Sequence, residues 1–218
     1  MAAGKSGETA SALEKALAAR LADTLLPGDA PLEGSSLAEA ARFVLATAQS
    51  REGPAPAVAI ESVPGPVGER LMRIAAINDN MPFLVDSVAA TVTAHGLTID
   101  RLVHPVLAVR RDAKGKLTEL PGGEASGEKR ESMIYIETSR VDAKTRRQVQ
   151  CALEATLGDV QAAVADWPTM QAAMATDAER VADSEGAALL RWFKDGMLTQ
   201  LGHVTRKRDG SQTGALGI

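Results

Sequence analysis

Leu13, Leu17, Leu21 and Leu25 recur every four residues, which places them on one slowly drifting stripe of a helix over residues 11–26, with Pro27-Gly28 as its stop. A second helix opens at Ser36, where Glu39 three residues later completes a capping box, and carries Leu37, Ala41, Val44, Leu45 and Ala48 until Gly53-Pro54 and Pro56 end it. Ala57–Ile60 is short and apolar, as a strand would be. Val63-Pro64-Gly65-Pro66 then reads as a linker, because two prolines remove donors and fix the backbone. From Arg70 to Ile77 apolar residues run almost without interruption, the pattern of a strand buried on both faces, and the run stops at Asn78-Asp79-Asn80. Pro82 suits the first position of a helix whose inner face carries Leu84, Val85, Val88, Thr91, Val92 and His95. Asp86 falls on its wet face, and Gly96 ends it.

Leu97–Val109 predicts a second strand, broken by His104-Pro105, and proline in a strand points to a sheet edge or bulge. Asp112–Gly115 is a turn, Lys116–Leu120 extends a hairpin, and Pro121–Lys129 is a Gly- and Glu-rich loop. Met133–Ile136 makes a third strand, and Asp142 caps a helix faced by Val149, Leu153 and Leu157, with a helical pattern resuming after Gly158. The order β-α-β-β-α is one strand short of βαββαβ, an α+β, ferredoxin-like layout with strands in the order 4-1-3-2, which puts the proline-bearing strand at an edge. The missing strand is expected from Val160–Val164 or Leu198–Arg206. Helices over Pro168–Ala182 and Glu185–Lys194 follow, the latter with Leu189, Leu190, Trp192 and Phe193. Three regions result: an N-terminal helical segment with a short strand over 1–66, the βαββαβ domain over 67–166, and a helical extension plus a strand over 167–218.

Of the 218 residues 45% are hydrophobic, but 39 are alanine and only 3% of the chain is aromatic, so the core is aliphatic. A net charge of −4 and a pI near 5.5 lack the basic field that nucleic acid requires and argue against a membrane-surface role. No stretch is long and apolar enough to span a bilayer. The single cysteine, Cys151, forms no internal disulfide and reads as a small buried hydrophobe, which fits a reducing cytoplasm.

Catalytic fingerprints are missing. Gly4-Lys5-Ser6 lacks the upstream glycine and strand of a phosphate loop, and no G-x-G-x-x-G, C-x-x-C, H-E-x-x-H or G-x-S-x-G occurs. His95, His104 and His203 lie on different elements without ligand spacing, so no metal site and no catalytic residue is assigned, and His95 reads as a helix C-terminal residue. Tyr135 alone does not make an RNA-stacking sheet, and Arg206-Lys207-Arg208 reads as a solvated strand end. The candidate site is Asn78, Asp79, Asn80, Met81 and Pro82, where a buried strand meets a helix N-terminus. Helix amides there hold a carboxylate and the Asn and Asp side chains take an ammonium, so an amino acid suits the chemistry. A plain turn and cap, for which Asn and Asp are ordinary choices, is the commoner meaning of the same residues.

The run Asn78-Asp79-Asn80-Met81-Pro82-Phe83-Leu84-Val85-Asp86-Ser87-Val88, followed by His95-Gly96-Leu97-Thr98-Ile99, Val103-His104-Pro105-Val106-Leu107, Arg110-Arg111-Asp112 and Glu131-Ser132, resembles the N-terminal region of the large bacterial NAD-dependent glutamate dehydrogenases. Ala165-Asp166-Trp167-Pro168-Thr169-Met170 and Leu189-Leu190-Arg191-Trp192-Phe193 are similar too, so the resemblance spans roughly residues 35 to 218. A departure lies at Met197–His203, where relatives carry an aromatic-rich stretch ending in Leu-Gly-Tyr. The resemblance implies an ACT-type regulatory domain whose strand-to-helix loop, Asn78–Pro82, meets an amino-acid effector at an interface. It also implies self-association or packing on downstream domains, and a chain that is an N-terminal segment cut before the catalytic core. NAD and the conversion of L-glutamate to 2-oxoglutarate then belong to the parent enzyme, with no cofactor in this segment. The alternative is a free-standing ACT-like amino-acid-binding or adaptor module without catalysis. An acylphosphatase-type enzyme on the same fold is excluded, since Asn78–Pro82 lacks the required arginine.

Overall fold

The computed structural model describes residues 2–25, 31–49, 51, 53–65, 68, 70–122 and 128–218, with backbone alone for 2–10. Pro27-Gly28, Pro66 and residues 123–127 of the Gly- and Glu-rich loop lie outside the described residues. Two helices lead the chain. α1 (Ala2–Asp23) buries Leu13, Leu17 and Leu21, the stripe read from the sequence, and starts nine residues before it. α2 (Gly34–Gln49) buries Ala41, Val44, Leu45 and Ala48. Its capping box does not form, because the helix begins at Gly34 and leaves Ser36 inside it, while Glu39 accepts a 2.7 Å hydrogen bond from Arg73.

β1 (Ala57–Pro64) pairs antiparallel with β2 (Arg70–Asp79), from Ala57 opposite Ile77 to Pro64 opposite Arg70. Val63 and Pro64 of the expected linker therefore end a strand, and proline is accommodated at the end of an edge strand. After α3 (Leu84–Ala94) come β3 (Ile99–Val103) and β4 (Val106–Ala108), split at His104-Pro105 and both paired with β7 (Arg130–Ser139). β5 (Arg110–Arg111) and β6 (Leu117–Glu119) form a small hairpin around the Asp112 turn. The main sheet runs β1-β2-β7-β3, antiparallel at every pairing, with β4 also on β7. The proline-broken strand lies at an edge, as expected.

The fourth-strand expectation is corrected. Val160–Val164 is helical, and Leu198–Arg206 contributes only β8 (Gly202–Arg206), which pairs with β9 (Gln212–Gly217) in a separate hairpin. The place beside β2 belongs to β1, which precedes the βαββα series, and a short hairpin closes that contact at less entropic cost than a return from residue 160 or beyond. α4 (Ala143–Arg180), opened by the expected Asp142 cap, does not stop at Gly158 and continues through Pro168. Val149, Leu153, Leu157, Ala163, Met170, Met174 and Ala178 keep one side of it buried, which outweighs the roughly 1 kcal/mol that an interior glycine costs a helix. α5 (Ser184–Trp192) is capped by Asp183 and runs into a kinked turn over Phe193–Met197, where Gly196 takes φ 105°.

The described residues divide into two compact units, Met1–Leu157 and Gly158–Ile218, whereas the sequence suggested divisions at 66/67 and 166/167. In unit 1, α1 and α2 pack with Ala75, Ile77, Val103, Met133 and Tyr135 on one side of the sheet. The alternating residues Ile74, Ala76, Ile134 and Ile136 point the other way. They are just as buried, as are Leu84, Val88 and Val92 of α3 and Val149, Leu153 and Leu157 of α4. Thr91 and Thr156 join those two helices with a 2.9 Å hydrogen bond.

Candidate functional site

Asn78 and Asp79 are the last two residues of β2 rather than part of a turn, and alternation sends their side chains to opposite faces of the sheet. Asn78 lies on the side of Ile74 and Ala76. It is 1% exposed, opposite Ser132 of β7, and both polar atoms of its side-chain amide lack a hydrogen-bond partner. A donor or acceptor buried without a partner costs about 1–3 kcal/mol, which sets this amide apart from the satisfied polar groups around it. Ser132 Oγ lies 2.7 Å from His104 Nε2 in the β3–β4 break, and burial pushes the His104 pKa below its usual 6.5.

The chain then turns. Asn80 is exposed, with its N–H donating to the Arg130 carbonyl at 3.0 Å, Met81 is half-buried and Pro82 exposed. Pro82 is not the first helical residue: Phe83 intervenes with φ 70°, half-exposed, and is the only described non-glycine residue with positive φ. Such a backbone costs of order 1–3 kcal/mol and is retained where its surroundings enforce it. No side chain caps the helix that follows, so the first-turn amides of α3 present their positive end to whatever lies before them. Of the five expected site residues, four thus line the path from Asn78 through the turn to the bare end of α3. Asp79 does not join them.

Asp79 instead belongs to a network of charges on the α2 side of the sheet that spans wide gaps in sequence. The Arg51 guanidinium, 1% exposed, lies 2.7 Å from Asp79 and 2.6 Å from Glu131, and also donates to the carbonyls of Pro54 and Ala55. Arg111 grips the fully buried Glu131 with two nitrogens at 2.9 and 2.7 Å and donates to the carbonyls of Ala48 and Gly115. Lys129 lies 3.0 Å from Asp79. Burial alone would push the Asp79 carboxyl up, but Lys129 and Arg51 beside it hold its pKa below the usual 3.8. No local spacing announces these partners; the available signal was charged residues inside or beside strands that the apolar pattern marked as buried.

The remaining candidates are structural. His95 ends α3 with Nδ1 2.8 Å from the Thr91 carbonyl, and His203 lies 3.5 Å from Asp177. Tyr135 is in the core and donates to Glu137; burial, reinforced by that carboxylate, pushes its phenol far up. Cys151 is exposed on α4, contrary to the expected buried thiol, because the inner stripe of that helix is taken by Val149 and Leu153. Among the described residues no group of His, Cys, Asp or Glu is arranged to hold a metal ion, and no helix is long and apolar enough to cross a membrane. Every pairing in this sheet is antiparallel, so it does not form the parallel-strand crevice of a Rossmann-type dinucleotide site.

The sequence profile of the glutamate dehydrogenase ACT1 domain matches residues 30–153, more than half of the chain. Among curated proteins, the NAD-specific glutamate dehydrogenase of Pseudomonas aeruginosa is 32% identical over 158 residues, which cover 64% of this chain and 10% of that protein. The enzyme of the same name from Halomonas elongata is 35% identical over 102 residues, covering 45% of this chain and 6% of its own length. The chain thus spans about a tenth or less of the curated relatives it matches. The ACT1 match takes in α2, the whole five-stranded sheet, α3, the Asn80–Phe83 turn and the first part of α4, and on that ground the chain belongs to the glutamate dehydrogenase ACT1-domain family.

Proposed function

We propose that the chain is the regulatory and assembly segment of an NAD-dependent glutamate dehydrogenase, itself without catalytic residues. The parent reaction is oxidation of L-glutamate with NAD and water to 2-oxoglutarate, ammonium and NADH, carried out in the cytoplasm by other parts of the polypeptide. The observation that carries this reading is the ACT1 match over residues 30–153 together with relatives named as NAD-specific glutamate dehydrogenases. On this reading the strands from β2 to β7 form a ferredoxin-like ACT module in which β1 takes the place of the fourth strand. Self-association or packing on other domains gives the module its route to the catalytic region.

The unpartnered Asn78 amide and the uncapped α3 support an amino-acid effector, whose carboxylate meets the helix amides and whose polar remainder meets Asn78. The test is thermal unfolding of the protein with a panel of amino acids. A ligand at a hundred times its Kd stabilises by about 2.7 kcal/mol, so at least one amino acid should raise the melting temperature of the native protein and not of Asn78→Ala. Failure of every amino acid, with Asn78→Ala folded normally, would overturn the effector site. Glutamate-dependent NADH formation by the full-length polypeptide tests the parent reaction separately.

A further inference from the structure

Asn78 heads a row of uncharged polar groups that crosses three strands. It stands opposite Ser132 of β7, Ser132 stands opposite Val106 of β4, and Ser132 Oγ lies 2.7 Å from His104 Nε2 in the break before β4. Burial holds the His104 pKa below 6.5, so the imidazole is neutral at pH 7. Alternation sends the flanking carboxylates Asp79 and Glu131, with the Arg51 and Arg111 guanidiniums that bind them, to the other face of the sheet. Arg130, two residues before Ser132 on β7, and Asp86, in the first turn of α3, are exposed to water. The buried part of the row therefore carries no charge.

The Asn78 side chain offers one acceptor, Oδ1, and one donor group, Nδ2, both without a partner. An ammonium only donates and an ionised carboxylate only accepts, so either would leave half of the Asn78 amide unsatisfied. A carboxamide carries both, and two carboxamides close a reciprocal pair of hydrogen bonds. Asn78 is also 1% exposed, so a group that meets it sheds its water, which costs an ion far more than a neutral amide. We infer that the effector is an amino acid with a carboxamide side chain, glutamine or asparagine, an inference that rests on the amino-acid site proposed above. The carboxamide meets Asn78, and the α-carboxylate meets the uncapped amides of α3. Asn78 thus sets the choice between an amide and its corresponding acid, because a site built around hydrogen bonds rejects a close analogue that cannot complete them.

Calorimetric titration of the protein with glutamine, glutamate, asparagine and aspartate at pH 7 tests this choice. One amide should bind about tenfold or more tightly than its own acid. Asn78→Asp, which replaces the amide nitrogen by a second acceptor, should remove that preference. An acid that binds the native protein as tightly as its amide overturns the inference, whatever the variants do. An amide preference that survives in folded Asn78→Ala overturns it too, by placing the recognition elsewhere. If another amino acid binds through Asn78 and neither amide does, the carboxamide assignment fails and the effector site stands. If no amino acid binds, both fail.

Discussion

Among the described residues, unit 1 buries thirty hydrophobic side chains and unit 2 five, of which three are alanine. In unit 1 a sheet is closed on both faces by helices, and its interior also holds a charge network in which the Glu131 carboxylate is wholly buried. In unit 2, by contrast, leucine, tryptophan and methionine side chains stand outside. The two therefore differ in what holds them: unit 1 carries its own core, while unit 2 relies on the length of α4, an Asp183 cap and a few side-chain ties. A buried apolar residue in unit 1 is therefore a stability determinant, whereas an exposed one in unit 2 contributes little to stability.

Substitutions can break this contrast. The largest effect is expected from Glu131→Ala, which leaves the Arg51 and Arg111 guanidiniums without their shared buried partner and should cost about 3–5 kcal/mol in urea unfolding. A loss below about 1 kcal/mol would mean that solvent reaches the network and that unit 1 is less closed than described. Leu153→Ala, in the fully buried stripe of α4 within unit 1, should cost about 2–5 kcal/mol by the same measurement.

His104 gives a smaller, pH-dependent effect. Its folded pKa is depressed, so above 6.5 both states are neutral and nothing is lost; as pH falls through 6.5 the unfolded chain takes up a proton that the folded chain resists. Stability should therefore decline from pH 7 towards pH 5, and His104→Gln should flatten that slope. Asp79, depressed below 3.8, acts in a lower window: its contribution is present above 3.8 and is lost as pH falls below it. An unchanged slope in His104→Gln would show that another group governs the decline. The smallest effect belongs to Trp192→Ser, which should move the stability of residues 1–218 by no more than about 0.5 kcal/mol in either direction, because the side chain is 54% exposed.

Much of unit 1 was legible in the chain because its elements are local and strongly patterned. The four-residue leucine spacing gave α1, the apolar run from Leu71 to Ile77 gave β2, and His104-Pro105 gave the edge and its break. Contributions from outside the local pattern were less legible. Pro64 reads as a linker until its strand is known to lie at an edge, and Gly158 reads as a helix end until Ala163, Met170 and Met174 are seen to extend the buried side. At the site, the turn and the helix end were readable, but the opposite facing of Asn78 and Asp79 required knowing that β2 extends to Asp79. The partners of Asp79 were unreadable, since Arg51 and Lys129 meet it only through the sheet.

Native-state hydrogen exchange on residues 1–218 tests the contrast between the units most directly. Backbone amides of Ile74, Ala76, Ile134 and Ile136 in β2 and β7 should exchange only through global unfolding, while those of Val204 and Thr205 in β8 and Ala215 and Leu216 in β9 should exchange through openings of much lower free energy. Equal protection in the two sets would contradict the account, because it would show that unit 2 already possesses a cooperative core of its own.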